Sequence, residues 1–393
     1  MANNFEFYSP TRVVFGRDTE KGIGKLIKEY GGTNVLIVYG GQSAIRSGLL
    51  ALVKSALDGE GIRHLELGGV VPNPHLEKVY EGISLGKENK TDFLLAIGGG
   101  SAIDTSKAIG YGLAEPERDV WELYQRIRKP KSCLPIGCIV TIAAAGSETS
   151  SSCVITNEKT GEKRSCGSIY ARPKFAIMNP DLTKTLPDYQ TQSGCTDIMM
   201  HTMERYFTNG EKMELTDEIA EGLLRTVMKN AVILHKDPDN YEARAEVMWA
   251  GSLSHNGLTG CGNSSDDFAS HKLEHELGGM FDVTHGAGLA AVWGSWARYV
   301  YQDCLPRFVR YARKVMGVTA EGSDEEIALV GIDATEDFFR SIGMPVTLTE
   351  LGISPTDEEI EKMAKSCNDA YGDIGSAKKL GLQDLIAIYQ AAR

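Results

Sequence analysis

The sequence predicts two domains, an α/β domain over residues 1–185 and an all-helical domain over residues 186–393. The first observation is length, because 393 residues exceed what one hydrophobic core usually serves. The second is the alternation of short apolar runs with helical patterns up to about residue 180, which is typical of a parallel sheet covered by helices. The third is a change after Asn179-Pro180, beyond which helical periodicity dominates and β-branched runs disappear.

The α/β domain contains five short runs with the length and composition of strands. The two strongest are Asn34–Tyr39 (NVLIVY), which leads into a pair of glycines, and residues 93–97 (FLLAI), which lead into three glycines and a serine. Helical patterns over residues 43–57 and Leu76–Asn89 lie between these runs. The remaining strand predictions are Arg63–Leu67, 136–142 and 174–178.

The second domain shows apolar residues at helical spacing almost throughout. No strand pattern interrupts it, so we expect a bundle of helices. The predicted helices span residues 189–206, 214–235, 241–255, 266–278, 286–300, 306–315, 324–342 and 356–371.

Composition excludes several classes of protein. A net charge of -12 repels phosphate backbones, which argues against a nucleic-acid partner. No run of 18 or more apolar residues predicts a membrane span, and the first residues lack the basic and apolar segments of a signal peptide. The cysteines form no C-x-x-C pair and are too sparse for a disulfide scaffold, so we expect reduced thiols in a cytoplasmic protein. They are Cys133, Cys138, Cys153, Cys166, Cys195, Cys261, Cys304 and Cys367.

Residues 92–107 (DFLLAIGGGSAIDTSK) place three glycines and a serine between the most apolar strand and a helix. Glycine lets main-chain N–H groups approach a phosphate closely, and a helix N-terminus favours an anion. Ser101 and Asp104 have the spacing of a capping box, which predicts a helix start there. Because ligands of open sheets bind at the carboxyl ends of strands, the turn predicts a dinucleotide phosphate site. The usual G-x-G-x-x-G fingerprint is absent, since Ile103 replaces its last glycine.

A second glycine pair, Gly40-Gly41, follows the first strong strand. An acidic residue at this place typically binds a ribose 2′-hydroxyl and repels a 2′-phosphate, and this chain has none. Ser43 and Arg46 open the next helix instead. The pattern favours NADP(H) over NAD(H), although an ordinary strand–turn–helix connection has the same appearance.

Four of the eight histidines fall into two groups along the sequence, and the first group includes an aspartate. Asp197 and His201 are four residues apart in one predicted helix, His271 and His275 are four apart in another, and His285 follows a bend. Residues at this spacing project from one helix face. One carboxylate with several imidazoles suits Zn²⁺ or Fe²⁺, so we predict a metal site, but the spacing leaves open which imidazoles bind. The isolated histidines, expected at the surface or in packing, are His64, His75, His235 and His255.

Five segments together carry a resemblance to a known family: VPNP at 71–74, FLLAIGGGSAID at 93–104, AGSE at 145–148, GCTDIMMH at 194–201 and HKLEHELGGMFDVTHGAGLA at 271–290. The chain resembles the iron-containing (group III) alcohol dehydrogenases, and most of all their butanol dehydrogenase branch. The resemblance covers nearly the whole chain. It implies a dinucleotide-binding α/β domain and an all-helical metal-binding domain, in a dehydroquinate synthase-like architecture.

The resemblance also assigns roles to residues. It makes Asp197, His201, His271 and His285 the metal ligands, and leaves His275 beside the metal, near the substrate and the nicotinamide. The residues it places on the pyrophosphate are Gly99, Gly100, Ser101 and Asp104. Those that would line the rest of the cofactor cleft are Asn73, Thr141, Ser147 and Lys163.

The sequence departs from the family pattern at two places. Ala145 stands where the family usually has a threonine, which removes one hydroxyl contact to the cofactor. Phe281 stands where some members carry a further histidine, so we expect a more apolar substrate pocket.

The implied activity is hydride transfer between a nicotinamide dinucleotide and a short-chain primary alcohol or aldehyde such as butanol or butanal. The metal acts as a Lewis acid, and His275 relays a proton. The resemblance further suggests a homodimer. Two alternatives are a metal-dependent lyase related to dehydroquinate synthase and a nucleotide-sensing or metal-binding regulatory protein. The lyase would need a basic cluster for a polyanionic substrate, and residues 257–290 offer only Lys272.

Overall fold

The computed structural model describes residues 3–210, 213–263 and 265–393. It divides into two compact units, one over residues 9–185 and one over residues 186–393 together with the chain up to Tyr8. The α/β domain was expected to begin at Met1, but residues 3–8 group with the helical unit. There the Asn3 side chain donates a hydrogen bond to the Gly262 carbonyl. Met1 and Ala2 lie outside the described residues.

A six-stranded sheet forms the centre of the first unit, with the strand order β1-β8-β5-β4-β2-β3. Every neighbouring pair in it is parallel. The strand order reverses between β4 and β2, because the chain runs from β2 outward to β3 and then adds β4 on the other side of β2. The strands of this sheet are β1 (Arg12–Phe15), β2 (Asn34–Tyr39), β3 (Arg63–Leu67), β4 (Phe93–Gly98), β5 (Ile136–Val140) and β8 (Phe175–Met178). Strands β6 (Ser152–Asn157) and β7 (Glu162–Gly167) form a separate two-stranded sheet.

Both faces of this sheet are buried, as the apolar strands predict. Alternate residues of β2 enter different cores: Leu36 and Val38 pack on one face, and Val35 and Ile37 on the other. All six residues of β2 are buried, which accounts for a continuous apolar run instead of an apolar–polar alternation.

The helices of this unit follow the strands, with one unpredicted interruption. The predicted helix over residues 43–57 is broken at Gly48, whose φ of +78° is left-handed and which becomes the N-cap of a separate helix. The first strand and the first helix were not predicted. The helices are α1 (Ile23–Glu29), α2 (Ser43–Arg46), α3 (Leu49–Gly59), α4 (Leu76–Asn89), α5 (Gly100–Ala114) and α6 (Trp121–Tyr124).

The antiparallel hairpin of β6 and β7 was also missed by the sequence analysis. Its strands are short and partly polar, so they lack the apolar runs that marked the parallel strands. Cys153 and Ile155 of β6 pack in the same core as Trp121 and Tyr124. The hairpin therefore covers one face of the sheet beside α5.

The second unit is helical, as predicted, and the fold class is confirmed. Predicted bounds agree to within one residue for most helices, but the helix expected from residue 266 starts at Ala269, since Phe268 has a left-handed φ of +51°. The last helix was not predicted. The helices are α7 (Asp188–Tyr206), α8 (Glu214–Lys236), α9 (Tyr241–His255), α10 (Ala269–Phe281), α11 (His285–Val300), α12 (Leu305–Lys314), α13 (Asp324–Ser341), α14 (Asp357–Tyr371) and α15 (Leu382–Ala392).

The described helices include none with the length and apolar character required to cross a bilayer. All eight cysteines are free thiols.

Candidate functional site

The two glycine-rich turns lie at neighbouring carboxyl ends of the sheet. Gly40 and Gly41 follow β2, Gly99 and Gly100 follow β4, and these strands are adjacent at the point where the strand order reverses. Crevices at such reversal points are where open parallel sheets bind ligands. The geometry agrees with a site for a dinucleotide phosphate on this unit.

The turn after β4 needs glycine for two separate reasons. Gly98 has a φ of +155°, which side chains rarely tolerate. A Cβ atom on Gly99 would lie 2.9 Å from the Cβ atom of Ile142. Helix α5 then begins at Gly100, two residues after the end of β4, and the first N–H groups of a helix have no partner within the helix. Because these glycines carry no side chains, a phosphate can approach the main chain of the turn closely.

The predicted capping box of Ser101 and Asp104 is wrong. The N-cap of α5 is Gly99, and no side chain caps the helix. The carboxylate of Asp104 instead accepts hydrogen bonds from the Val154 N–H (2.8 Å) and the Ser147 hydroxyl (2.5 Å). Asp104 and Ser147 therefore join α5 to the loop before β6 and to the β6 strand itself.

Lys107, on the same helix, was not identified from the sequence. Its side chain is fully buried, and its Nζ atom donates to the Ser147 carbonyl and hydroxyl and to the carbonyls of Ser150 and Ser152, at 2.7–3.1 Å. Burial lowers the pKa of Lys107, whereas the nearby Asp104 carboxylate raises it. The four contacts join α5 to the loop over residues 147–152, so Lys107 shapes that loop.

The remaining cofactor candidates occupy ordered positions in this unit. The Thr141 N–H, just after β5, donates to the Gly98 carbonyl, so it lies beside the glycine turn. Asn73 is buried and has a left-handed φ of +51°. Lys163 is buried on β7, opposite Thr156 of β6. Ser43 opens the four-residue helix α2 directly after the first glycine pair.

In the helical unit, α7 presents Asp197 and His201 on one face, together with Glu204 one turn further on. The Nδ1 atom of His201 lies 3.0 Å from the main-chain oxygen of Asp197 and 3.0 Å from its Oδ1 atom. Nearly every side chain from Thr191 to Tyr206 is buried, although many are polar. A polar, buried helix is unusual and is typical of a functional site.

Helices α10 and α11 bring two more imidazoles to Asp197. The Nε2 atoms of His271 and His285 lie 3.6 Å and 3.8 Å from its Oδ1 atom. His285 reaches this position because α11 approaches α7 very closely: a Cβ atom on Gly286 would lie 2.0 Å from the Ser193 carbonyl oxygen. Glycine at position 286 is therefore required for the contact.

These groups fit a metal ion. Ligand atoms of Asp197, His201 and His271 all lie within 4.8 Å of one another, and His285 borders the same carboxylate. Asp197 Oδ1 and His271 Nε2 are buried but make no hydrogen bond of acceptable geometry with the described residues. Such atoms are costly unless something binds them. One carboxylate and three imidazoles form a donor set that Fe²⁺ and Zn²⁺ accept.

The charges of the cluster are strongly coupled. Burial raises the pKa of Asp197, but His201 and His285 outweigh this and hold the pKa well below its usual range. Burial lowers the pKa of His201 to about 4, against the opposing pull of Asp197. Burial also lowers the pKa of His271, yet Glu204 and Asp197 raise it to about 9. A divalent cation would replace the proton on His271.

Two buried glutamates that the sequence analysis passed over contact the candidate ligands. Glu204 pairs with His271 Nδ1 and also accepts a hydrogen bond from the His271 main-chain N–H at 3.0 Å. Glu274 pairs with His285 Nδ1. Both glutamates lie three residues after a candidate ligand on their own helix, which is the spacing that could have indicated them.

His275 and His255 lie close to the cluster. His275 is buried, with its ring centroid 6.1 Å from that of His285, and it is not among the three residues whose ligand atoms converge. His255, expected at the surface or in packing, has its ring centroid 4.0 Å from that of His201. Phe281 ends α10 and is partly buried, close in sequence to His285.

Comparison with known proteins assigns both units to related families. The family model described as iron-containing alcohol dehydrogenase matches residues 10–180, and the model described as Fe-containing alcohol dehydrogenase family, C-terminal, matches residues 191–393.

Individual relatives match along the whole chain. NADH-dependent butanol dehydrogenase A of Clostridium acetobutylicum is 41% identical over 98% of this chain and 99% of its own length. An NADPH-dependent aldehyde reductase of Escherichia coli is 36% identical over the full length of both. The crystal structure of NADH-dependent butanol dehydrogenase A from Thermotoga maritima superimposes with a TM-score of 0.96, at 38% identity, over 100% of this chain and 99% of that one.

Proposed function

This chain belongs to the iron-containing alcohol dehydrogenase family, and we propose that it interconverts short-chain primary alcohols and aldehydes, such as butanol and butanal, with a nicotinamide dinucleotide. The observation that carries the proposal is the convergence of Asp197, His201, His271 and His285. It is supported by the glycine-rich turns of the other unit, which follow β2 and β4 where the strand order reverses.

The helical unit would hold the metal through one carboxylate oxygen and three imidazole nitrogens, from Asp197, His201, His271 and His285. A divalent ion there, Fe²⁺ or Zn²⁺, would supply Lewis-acid polarisation of a carbonyl or alcohol oxygen, and the dinucleotide would carry the hydride. Asp197 has the central place, because each of the three imidazoles lies within 3.8 Å of its Oδ1 atom.

His275 would transfer the proton that accompanies hydride transfer. It is buried on the same helix as His271, one turn further on, and its ring lies near that of His285. An imidazole exchanges protons near neutral pH, so it can give a proton to the developing alcohol oxygen and take one in the reverse direction.

The α/β unit would bind the dinucleotide at the reversal between β2 and β4. Gly99, Gly100 and Ser101 would offer N–H groups to the pyrophosphate, while Gly40, Gly41 and Ser43 would border the adenosine ribose. Asn73, Thr141 and Lys163 would complete the cleft. Asp104, Lys107 and Ser147 would act indirectly, because their polar groups already bind one another or the loop over residues 147–152.

Preference for NADP(H) is a finer proposal. It is supported by the absence of an acidic residue after Tyr39, since a carboxylate there would repel a 2′-phosphate. The named relatives include both NADH-dependent and NADPH-dependent enzymes, so their names favour neither cofactor.

The test is a screen of C2–C6 aldehydes with NADPH and with NADH, on protein whose metal content has been assayed. We expect unbranched aldehydes of a few carbons to be reduced, and removal of the metal by a chelator to abolish the activity. Clear preference for glycerol or a sugar phosphate over butanal would contradict the butanol-type assignment.

A homodimer and a cytoplasmic location complete the proposal. Strand β1 pairs only with β8 among the described strands, so one of its edges offers main-chain groups to a second copy. Phe5, Phe7 and Tyr8, just before it in the chain, are exposed. Light scattering after gel filtration tests the dimer, and fractionation of cells tests the location.

A further inference from the structure

We propose that Glu204 and Glu274 are positioning residues that fix the proton and orientation of two imidazoles, so that His271 and His285 both present Nε2 to the metal. The proposal rests on the proposed function only in taking the cluster around Asp197 as a metal site. It concerns metal affinity, which is measured without turnover.

Glu204 holds His271 by two contacts. One carboxylate oxygen pairs with Nδ1 of the ring, and the other accepts the His271 main-chain N–H at 3.0 Å. The glutamate side chain is only 1% exposed, so this pairing takes place away from water. With Nδ1–H donated to the carboxylate, the lone pair of His271 lies on Nε2, the nitrogen that faces Asp197.

Glu274 holds His285 in the same manner. Its fully buried carboxylate pairs with Nδ1 of His285, and Nε2 of that ring lies on the Asp197 side. The His285 side chain is 28% exposed, the most open of the four candidate ligands. A ring at the open border of the site has the most freedom to turn, and the carboxylate removes that freedom.

The contacts form a series across three helices. Helix α7 carries Asp197 and His201 together with the carboxylate that holds His271 on α10. Helix α10 carries His271 together with the carboxylate that holds His285 on α11. Each carboxylate also increases the electron density on its imidazole, which strengthens the bond to a cation.

The experiment replaces each glutamate by glutamine. An amide lacks the negative charge, and its NH₂ group can donate to Nδ1 and so leave the proton on Nε2, where it blocks metal binding. Protein stripped of metal is titrated with Zn²⁺ in competition with a chromophoric chelator. We expect Glu204→Gln and Glu274→Gln each to weaken Zn²⁺ affinity ~10- to 100-fold.

The matched control is Glu221→Gln. Glu221 is also a fully buried carboxylate of the helical unit, but it binds the Tyr206 hydroxyl and Arg310 instead of an imidazole. We expect its Zn²⁺ affinity to equal that of the wild type even if its melting temperature falls. Visible absorption of Co²⁺ bound in place of Zn²⁺ gives a second readout, because it should change in the two site variants and not in the control.

Zn²⁺ affinity and Co²⁺ absorption equal to the wild type in both site variants would overturn the proposal. If a glutamine variant is insoluble, the aspartate variant at the same position replaces it, since it keeps the charge and withdraws the carboxylate by one methylene. Weaker Zn²⁺ affinity of that variant supports the proposal, and unchanged Zn²⁺ affinity contradicts it. A wild type that binds none of Zn²⁺, Co²⁺ or Fe²⁺ would instead remove the metal site on which the proposed function depends.

Discussion

Alanine substitutions at His271 and His275 should have different consequences, although one helical turn separates the two residues. His271 is a candidate ligand, whereas His275 lies outside the convergent set and is assigned to proton transfer. We expect His271→Ala to lose bound metal and activity together. We expect His275→Ala to keep close to a full equivalent of metal and to lose rate.

The magnitudes follow from what each truncation leaves behind. Removing the His271 ring leaves the Glu204 carboxylate buried without its partner, and breaking such a pair costs about 3–5 kcal/mol. The main-chain N–H of residue 271 still donates to Glu204, so we expect the lower end of that range. For a helical unit of this size, about 3 kcal/mol lowers the melting temperature by roughly 6–12 °C.

For His275→Ala the cost falls on the reaction instead. Loss of a positioned proton donor typically slows a reaction ~10²- to 10⁴-fold, which is about 2.7–5.4 kcal/mol of activation free energy. The ring is buried, so we also expect a modest packing loss of about 1 kcal/mol.

The assays are metal analysis of the purified variants, thermal melting of their metal-free forms, and steady-state kinetics with butanal. An empty metal site in His275→Ala would refute the ligand assignment. So would a His271→Ala variant that retains a full equivalent of metal and wild-type stability.

Three further predictions concern the cofactor, the loop over residues 147–152 and pH. A Cβ atom at Gly41 meets no other atom within 4 Å, whereas one at Gly40 would lie 3.3 Å from the Val70 carbonyl oxygen. We expect Gly41→Asp to lower kcat/KM with NADPH relative to NADH at least ~10-fold, about 1.4 kcal/mol. A wild type that prefers NADH tenfold would contradict the premise. Lys107→Met should raise KM for the dinucleotide while leaving bound metal unchanged, and an unaltered KM would show that the lysine serves stability alone. The pKa of His271 is raised to about 9, so its charged form stabilises the metal-free protein. This contribution to the free energy of unfolding is complete below pH ~6.5 and is lost as the pH rises through 9. Melting curves from pH 6 to 10 should show this loss in the wild type and not in Glu204→Gln.

Much of the fold could be predicted because the buried strands are continuous apolar runs. β2, β3 and α4 have the predicted bounds, and membership of the predicted family is confirmed. The β6–β7 hairpin was missed because its strands are half-polar and lack the continuous apolar runs of β2 and β4. The start of α10 was misplaced because a left-handed Phe268 has no signature in sequence.

The sequence indicated the candidate metal ligands, but it did not indicate the buried charged residues around them or the buried lysine of the other unit. Spacing of four residues indicated the pairs on α7 and α10, and His285 was singled out beside them. The resemblance to the family then made His285 a ligand and placed His275 outside the ligand set. Glu204, Glu274 and Lys107 were missed because charged residues in a helix are normally solvated. Only the structure shows that these three side chains are buried and paired.

The composition of helix α7 links a bound metal ion to the stability of the fold as well as to catalysis. It is buried over most of its length, yet the Gln192 Oε1, Thr196 Oγ1 and Asp197 Oδ1 atoms make no hydrogen bond of acceptable geometry within the described residues. Each uncompensated buried polar atom costs roughly 1–3 kcal/mol, a large part of the stability of an ordinary domain. An ion on Asp197 removes one of these costs and adds its own binding free energy to folding. Cells starved of iron and zinc should therefore accumulate less of this protein, because chains that fold without the ion are more open to proteolysis.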